Sequence, residues 1–252
     1  MKKSKLIITI FILLIINTPS FAQNSNFASL VKLNTTTSNT IVLNDPITVG
    51  FSKELEDIDG GPYYNEEWGK GRLLLKNGQE LGKQWLFKYN TFQDELHVQL
   101  SSGLVKIPMK NQIQSFMILQ NDKQHYFVSS DLSGVRDSEL TNTFLEVLHS
   151  KRFTLLKKSS KHYEEVENDN FYCSTCDNSS LNFFLTSEKY YLKDKRSSFR
   201  KVKLNKTSIL KSFPNHKAMI ISYLKEHNIK LKTEAELLDL LQYIESPKNP
   251  KT

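Results

Sequence analysis

Residues 60–89, GGPYYNEEWGKGRLLLKNGQELGKQWLFKY, join a glycine- and aromatic-rich lead-in to the strongest β-hairpin signal in the chain. Asn77-Gly78 follows the apolar run Leu73-Leu74-Leu75, and this dipeptide readily takes positive φ at both central positions of a type I′ turn. A strand is expected to turn back there. Beyond it, Trp85, Phe87 and Tyr89 alternate with Leu86 and Lys88, a period of two that puts the three rings on one face of an extended strand. That face is expected to be core. Gly60-Gly61-Pro62 can continue neither a helix nor a central strand, so Tyr63, Tyr64, Asn65, Glu66, Glu67 and Trp68 are expected in a loop that enters the sheet.

Working outward, the alternation continues. Leu96, Val98 and Leu100 share one face, and His97 is expected on the exposed polar face. Further strands are expected at 104–107, 113–119, 126–128, 144–148, 153–156, 181–185, 189–192 and 199–204, with the polar residues 157–170 forming a loop or an exposed ribbon. Short strands at regular spacing argue for one antiparallel arrangement, a sandwich or a curled half-barrel. From Asn205 the period lengthens. Ile209 and Phe213 are spaced i, i+4 before Pro214, Ile220, Tyr223 and Leu224 share a stripe, and Thr233 to Glu236 reads as a capping box ahead of Leu237, Leu241 and Ile244. The expected fold is therefore α+β. A loosely structured segment at 23–59 leads to a β-rich domain at 60–204, then to a group of three short C-terminal helices at 205–246 packed on it, and a tail at 247–252.

The amino terminus reads Met1-Lys2-Lys3-Ser4-Lys5, then apolar from 6 to 16, with small residues at Ser20 and Ala22. These are the three parts of a signal peptide, with cleavage expected after Ala22. The apolar run is too short to cross a bilayer, and no later stretch reaches 18 apolar residues. An exported protein, periplasmic or extracellular, without a transmembrane span in its mature chain, is expected. The formal charge of +7 is unevenly spread: residues 195–232 hold 11 Lys and Arg against one acid, and residues 54–67 hold six acids and no base. The basic stretch suits weak contact with an anionic envelope surface, although a solvated lysine face is the plainer reading. Nucleic acid is not expected as a partner, since no binding motif is present and the compartment is wrong.

Chemistry is sparsely signalled. Cys173 and Cys176 form the one C-x-x-C. A redox pair should open a helix, but β patterning resumes after Asp177, and a structural zinc site needs four ligands. In an oxidising compartment a local disulfide is expected. The chain has neither a G-x-S-x-G elbow nor H-E-x-x-H, so no catalytic, cofactor-binding or metal residue is expected. The loop at 63–68 is the candidate binding surface, because aromatics beside carboxylates and an amide can stack on a sugar or grip a peptide. The packing alternative makes Trp68 and one tyrosine a lid over the sheet.

GGPYYNEEWGKGRLLLKNG, KYNTFQDELHV and ILKSFPNHKAMIISYLKEHNIKLKTEAELLDLLQYI, taken in order over residues 60–246, resemble a family of uncharacterised secreted proteins of Bacteroidetes-type bacteria. The resemblance implies a β-rich fold with a helical C-terminus and an envelope location. It carries no catalytic residue, and the C-x-x-C lies outside the shared pattern. The leading expectation is a non-enzymatic cell-envelope interaction protein whose partner is an envelope protein or glycan. Next come a small-ligand binder whose curled sheet is lined by Trp85, Phe87 and Tyr89, and a hydrolase whose site is not readable from sequence.

Overall fold

Leu73, Leu74 and Leu75 end the first strand, β1 (Gly69–Leu75), and Gly78 turns the chain with φ 88°. Asn77 keeps a negative φ, because its side-chain oxygen accepts the Gln79 N–H at 3.0 Å. The Gly78 N–H donates to the Leu75 carbonyl at 2.9 Å and the Leu75 N–H to the Gln79 carbonyl at 3.0 Å. The turn is thus a three-residue loop with glycine in the left-handed position, in place of the expected type I′ turn. The returning strand β2 (Glu80–Leu81) is short, and the main neighbours of β1 are β3 (Leu86–Asn90) and β6 (Ile113–Gln120).

The computed structural model describes residues 58, 60–166, 181–195 and 197–246. The expected signal peptide at 1–22, residues 23–57, Cys173, Cys176 and the tail at 247–252 lie outside the described residues. All described strands belong to one antiparallel sheet, which excludes a two-sheet sandwich for these residues. The remaining strands are β4 (Glu95–Gln99), β5 (Val105–Lys106), β7 (Lys123–Ser129), β8 (Phe144–Ser150), β9 (Phe153–Val166), β10 (Leu181–Asp194) and β11 (Arg200–Val202). Their order is β11-β10-β9-β8-β7-β6-β1-β3-β4-β5, with β2 beside β1. Between β7 and β8 the chain makes one helical turn, α1 (Ser130–Ser133), which the sequence did not signal. The three expected C-terminal helices follow as α2 (Lys206–Ser212), α3 (Lys217–Glu226) and α4 (Glu234–Glu245), completing an α+β architecture.

The sheet curls strongly. β3 and β9 are separated in the ladder by β1, β6, β7 and β8, yet the Lys161 N–H donates to the Thr91 carbonyl at 3.1 Å across the gap. The curl has a filled interior. Phe87, Tyr89, Phe116, Phe127 and Phe144 are buried in it, with Phe116 stacked on Phe127 at 4.7 Å and Phe144 edge-on to Phe116 at 5.0 Å. Each such ring contributes roughly 1.5–3 kcal/mol by leaving water. Trp85 is only half-buried at the rim of this cluster. A second core lies between β9, β10, β11 and the helices, joining Phe153, Leu155, Tyr190, Leu192 and Val202 to Ile209, Ile220, Leu237 and Leu241.

Register makes one row of this face. Directly opposed residues in a sheet share a face, and successive partners across β1, β6, β7, β8, β9 and β10 read Leu73, Phe116, Phe127, Glu146, Lys157 and Tyr190. The row changes from apolar to charged where the curl gives way to the helix-covered part. Gly71 lets the curl close, because a Cβ there would lie 2.8 Å from Phe87 Cδ2 and against the Met117 backbone. Gly71→Ala is expected to lower stability by about 1–3 kcal/mol through overpacking, read as a lower midpoint in urea unfolding with unchanged slope.

Candidate functional site

Glu146 and Lys157 stand side by side on the core-facing side of β8 and β9, and both are buried. Strand alternation puts them there, since Glu146 has the parity of Phe144 and Lys157 that of Phe153 and Leu155. Their charged atoms are 2.9 Å apart. Around them the fold gathers a polar junction between the two cores. His125 Nδ1 lies 2.8 Å from Glu146, Tyr64 OH donates to the same carboxylate at 3.0 Å, and Lys157 also donates to Glu234 at 2.9 Å. Tyr190 OH donates to Glu188 at 2.6 Å on the far side.

The electrostatics favour fixed protonation states. Burial pushes the Glu146 carboxyl up, but the His125 hydrogen bond and the Lys157 charge outweigh it and hold it below the usual carboxylate range. Burial also disfavours the Lys157 ammonium, yet Glu146 and Glu234 hold its pKa above the ordinary lysine value. Burial and then the Glu146 charge raise the Tyr64 phenol well above its usual range, so its OH remains a donor. Among the described residues no serine or threonine hydroxyl is bonded to His125. The junction therefore orients and neutralises its members. It also fixes α4, whose first turn gives Glu234 to Lys157, and whose last turn gives Glu245 to His149 at 2.9 Å and to the Phe153 N–H at 2.8 Å.

A second buried group closes the curl. Tyr89 OH donates to Asp94 at 2.5 Å, Lys158 donates to Tyr89 OH at 3.1 Å and is paired with Asp94, and Lys110 reaches the other Asp94 oxygen at 2.9 Å. Burial opposes ionisation of Asp94, but the Lys158 charge prevails and lowers its pKa. Neighbouring lysines on β9 thus serve two carboxylates, one at the curl seam and one at the helix junction.

The 63–68 loop divides between these surroundings. Tyr64 turns inward to Glu146 and His125 and packs edge-on against Phe127 at 5.3 Å. Tyr63 covers His97, with its OH 3.3 Å from Nδ1, and Lys88 sits 4.0 Å over the Tyr63 ring. Asn65 caps a local turn by accepting the Glu67 N–H at 3.0 Å. Glu66 and Glu67 are exposed, and Trp68 is half-buried with Lys88 5.8 Å from its ring. His97, expected to be exposed, is buried at 1% because this loop folds back over the outer side of β3 and β4. Strand alternation cannot see a loop that covers the second face.

Beside the junction lies a cleft that sequence reasoning missed. β7 pairs with β6 along its length but with β8 only from Phe127 to Ser129, and the β8–β9 register shifts between Val147 and His149. The extra residue bends β8 away from β7. The two strands part, leaving a cavity of about 300 Å³ lined by Lys123, Gln124, Glu146, His149, Lys151 and Leu238 among others. Lys123 and Lys151 are exposed at its rim, and Leu238 of α4 reaches it from below. Only the polar run around the β8–β9 turn hinted at an irregularity, and a bulge has no sequence signature there.

Over the described residues, fold and site together define an α+β protein with one antiparallel sheet, a filled interior and a strand-lined cleft. Comparison with protein families, curated proteins and solved structures finds no match, so what the cleft can do follows from its own geometry.

Two acid-sensitive layers are expected. Burial and then the Lys88 charge lower the His97 pKa to about 4. A depressed histidine stays neutral when folded while the unfolded chain takes up protons near pH 6.5, so stability present above pH 6.5 falls as pH drops toward 4, by up to roughly 3 kcal/mol. Glu146 and Asp94, with lowered pKa values, add a further loss below the unfolded carboxylate range. Urea unfolding between pH 7.5 and pH 4.5 should show the first loss, and His97→Gln should flatten it. Glu146→Ala should cost about 3–5 kcal/mol by taking away the buried carboxylate that Lys157, His125 and Tyr64 share, whereas Glu146→Leu combined with Lys157→Met should recover part of that stability.

Proposed function

We propose that this is a non-enzymatic interaction protein of the cell envelope that receives an extended segment of a partner protein in the cleft between β7 and β8. The observation that carries this reading is the parting of two neighbouring strands. Lys123 and Gln124 on one side and Val147 and Leu148 on the other face a gap in which the ladder between them is not formed. An extended chain can pair with such an edge and place alternate side chains in the pocket. The chemistry selects the occupant. Leu238 and Leu148 offer apolar contact, and the lysines at the rim suit a segment with carboxylates beside apolar residues.

The filled curl argues against the small-ligand alternative lined by Trp85, Phe87 and Tyr89, since Tyr89 packs edge-on against Phe116, Phe127 and Phe144 and Phe87 is buried in the same cluster. Export rests on the amino-terminal pattern, with cleavage after Ala22 and Gln23 as the first mature residue. In that compartment Cys173 and Cys176 would be oxidised. The lysines of α2 and α3, among them Lys206, Lys211, Lys217 and Lys225, face solvent and would add weak attraction to an anionic envelope surface. No described helix is long and apolar enough to cross a membrane.

Selection from a library of displayed heptapeptides, followed by NMR mapping on the purified protein, tests the cleft. Enriched peptides should carry acidic and apolar residues and shift the amides of Gln124 and Leu148. Lys123→Glu with Lys151→Glu should weaken them about tenfold, the loss of two exposed ion pairs at roughly 0.7 kcal/mol each. Peptides that shift only amides elsewhere, or that ignore the charge reversal, would overturn the reading.

A further inference from the structure

β9 and β10 are 14 residues long, about twice the length of the other major strands, and only part of each is flanked. β8 lies beside β9 as far as Lys157, and β11 lies beside β10 only from Tyr190 to Leu192. Beyond these points the two strands run on as a ribbon, paired to each other as far as Val166 and Leu181. The outer side of β9 is held to Thr91. Among the described residues no strand lies on the outer side of β10 from Leu181 to Lys189.

That edge is also undefended. Long exposed edges in natural sheets are blunted by lysine, proline or shortness. The two terminal strands of this sheet conform, since β5 has two residues including Lys106, and β11 has three including Arg200 and Lys201. β10 reads Phe183-Phe184-Leu185-Thr186-Ser187 without a charge before Glu188. Leu185 is 38% exposed, and one face of the ribbon is already covered where Phe184 packs on Phe92 at 5.2 Å, with Gly60 close enough that a Cβ there would lie 3.2 Å from the Phe184 carbonyl oxygen.

The direction of its hydrogen bonds follows from β9. The Lys161 N–H points away from β10, to Thr91, so Lys161 and its partner Thr186 are a non-hydrogen-bonded pair. Thr186, and with it Phe184 and Glu188, must then turn both N–H and C=O outward.

We propose that this edge is a self-association surface, at which β10 of one molecule pairs antiparallel with β10 of a second copy about a two-fold axis at Thr186. In that register Thr186 faces Thr186, Phe184 faces Glu188 of the second copy, Leu185 faces Ser187, and Phe183 faces Lys189. The outward groups of the three residues match one another, no like charges are opposed, and the two Leu185 side chains come within diagonal reach. An isologous contact of this kind closes after two copies, so it yields a dimer and not a fibre. The surface is separate from the β7–β8 cleft and does not depend on it.

Sedimentation equilibrium of the full chain over a range of concentrations tests the proposal. The weight-average mass should rise toward twice that of the monomer. Thr186→Pro removes an N–H that β9 does not use, and should hold the mass at one chain with the circular dichroism spectrum retained. Leu185→Lys, at an exposed position, should do the same even where the proline variant folds poorly. Hydrogen exchange at the Thr186 amide should slow as the wild-type protein is concentrated. A wild-type chain that stays monomeric throughout, or a dimer unaffected by Leu185→Lys and without protection at Thr186, would overturn the proposal.

Discussion

The ion pair between Glu146 and Lys157 is the contact on which the two halves of this protein depend. It sits in the middle of one lateral row of side chains that begins with Leu73, Phe116 and Phe127 and ends with Tyr190. An apolar pair at this point would merge the two cores. Charges need partners when they are buried, and the partners used here come from four separate parts of the chain. Tyr64 arrives from the entering loop, His125 from β7, Glu188 from β10 and Glu234 from α4. The ladder alone would not specify how loop, curl and helices meet, and the requirement to satisfy two buried charges supplies that specification.

The same constraint sets the protonation states at a site rich in titratable groups. Tyr, His, Glu and Lys within hydrogen-bonding distance would suit acid–base work if one of them faced substrate with a pKa near neutrality. Here His125 and Lys157 hold the carboxylate ionised, Glu146 and Glu234 hold the ammonium protonated, and burial followed by the Glu146 charge holds the phenol neutral. The group behaves as a structural keystone, and the accessible surface lies to its side, where β7 and β8 separate. The bend that opens this cleft and the ion pair that closes the junction occur within three residues of one another on β8. Stabilising one therefore positions the other.

Much of the fold was legible in residue patterning. The alternation at Phe87, Tyr89, Leu96 and Val98 placed those side chains in a core, and the Thr233–Glu236 capping box forms as written, with the Glu236 N–H donating to the Thr233 hydroxyl at 3.2 Å and the Thr233 N–H to the Glu236 carboxylate at 3.1 Å. These are local devices, complete within a few residues. The site was less legible. Glu146 does carry a signal, since it occupies the core-facing parity of the expected strand 144–148. Lys157, expected in a loop or exposed ribbon, is buried instead because β9 runs on beside β10 to Val166, and parity cannot say that one charge lies opposite the other. His97 went astray for a related reason, because alternation describes two faces and is silent about what covers them.

The amino-acid sequence by itself determined most of the strands, the position of the turn at Gly78, the three C-terminal helices and the apolar faces that must be buried, because these follow from backbone preference and from apolar spacing along the chain. The curl, the row that joins Phe127 to Lys157, the burial of His97 and the parting of β7 from β8 were decided only by the tertiary structure. Each depends on register between strands far apart in sequence, and register is set when buried charges find partners and rings fill a closed space.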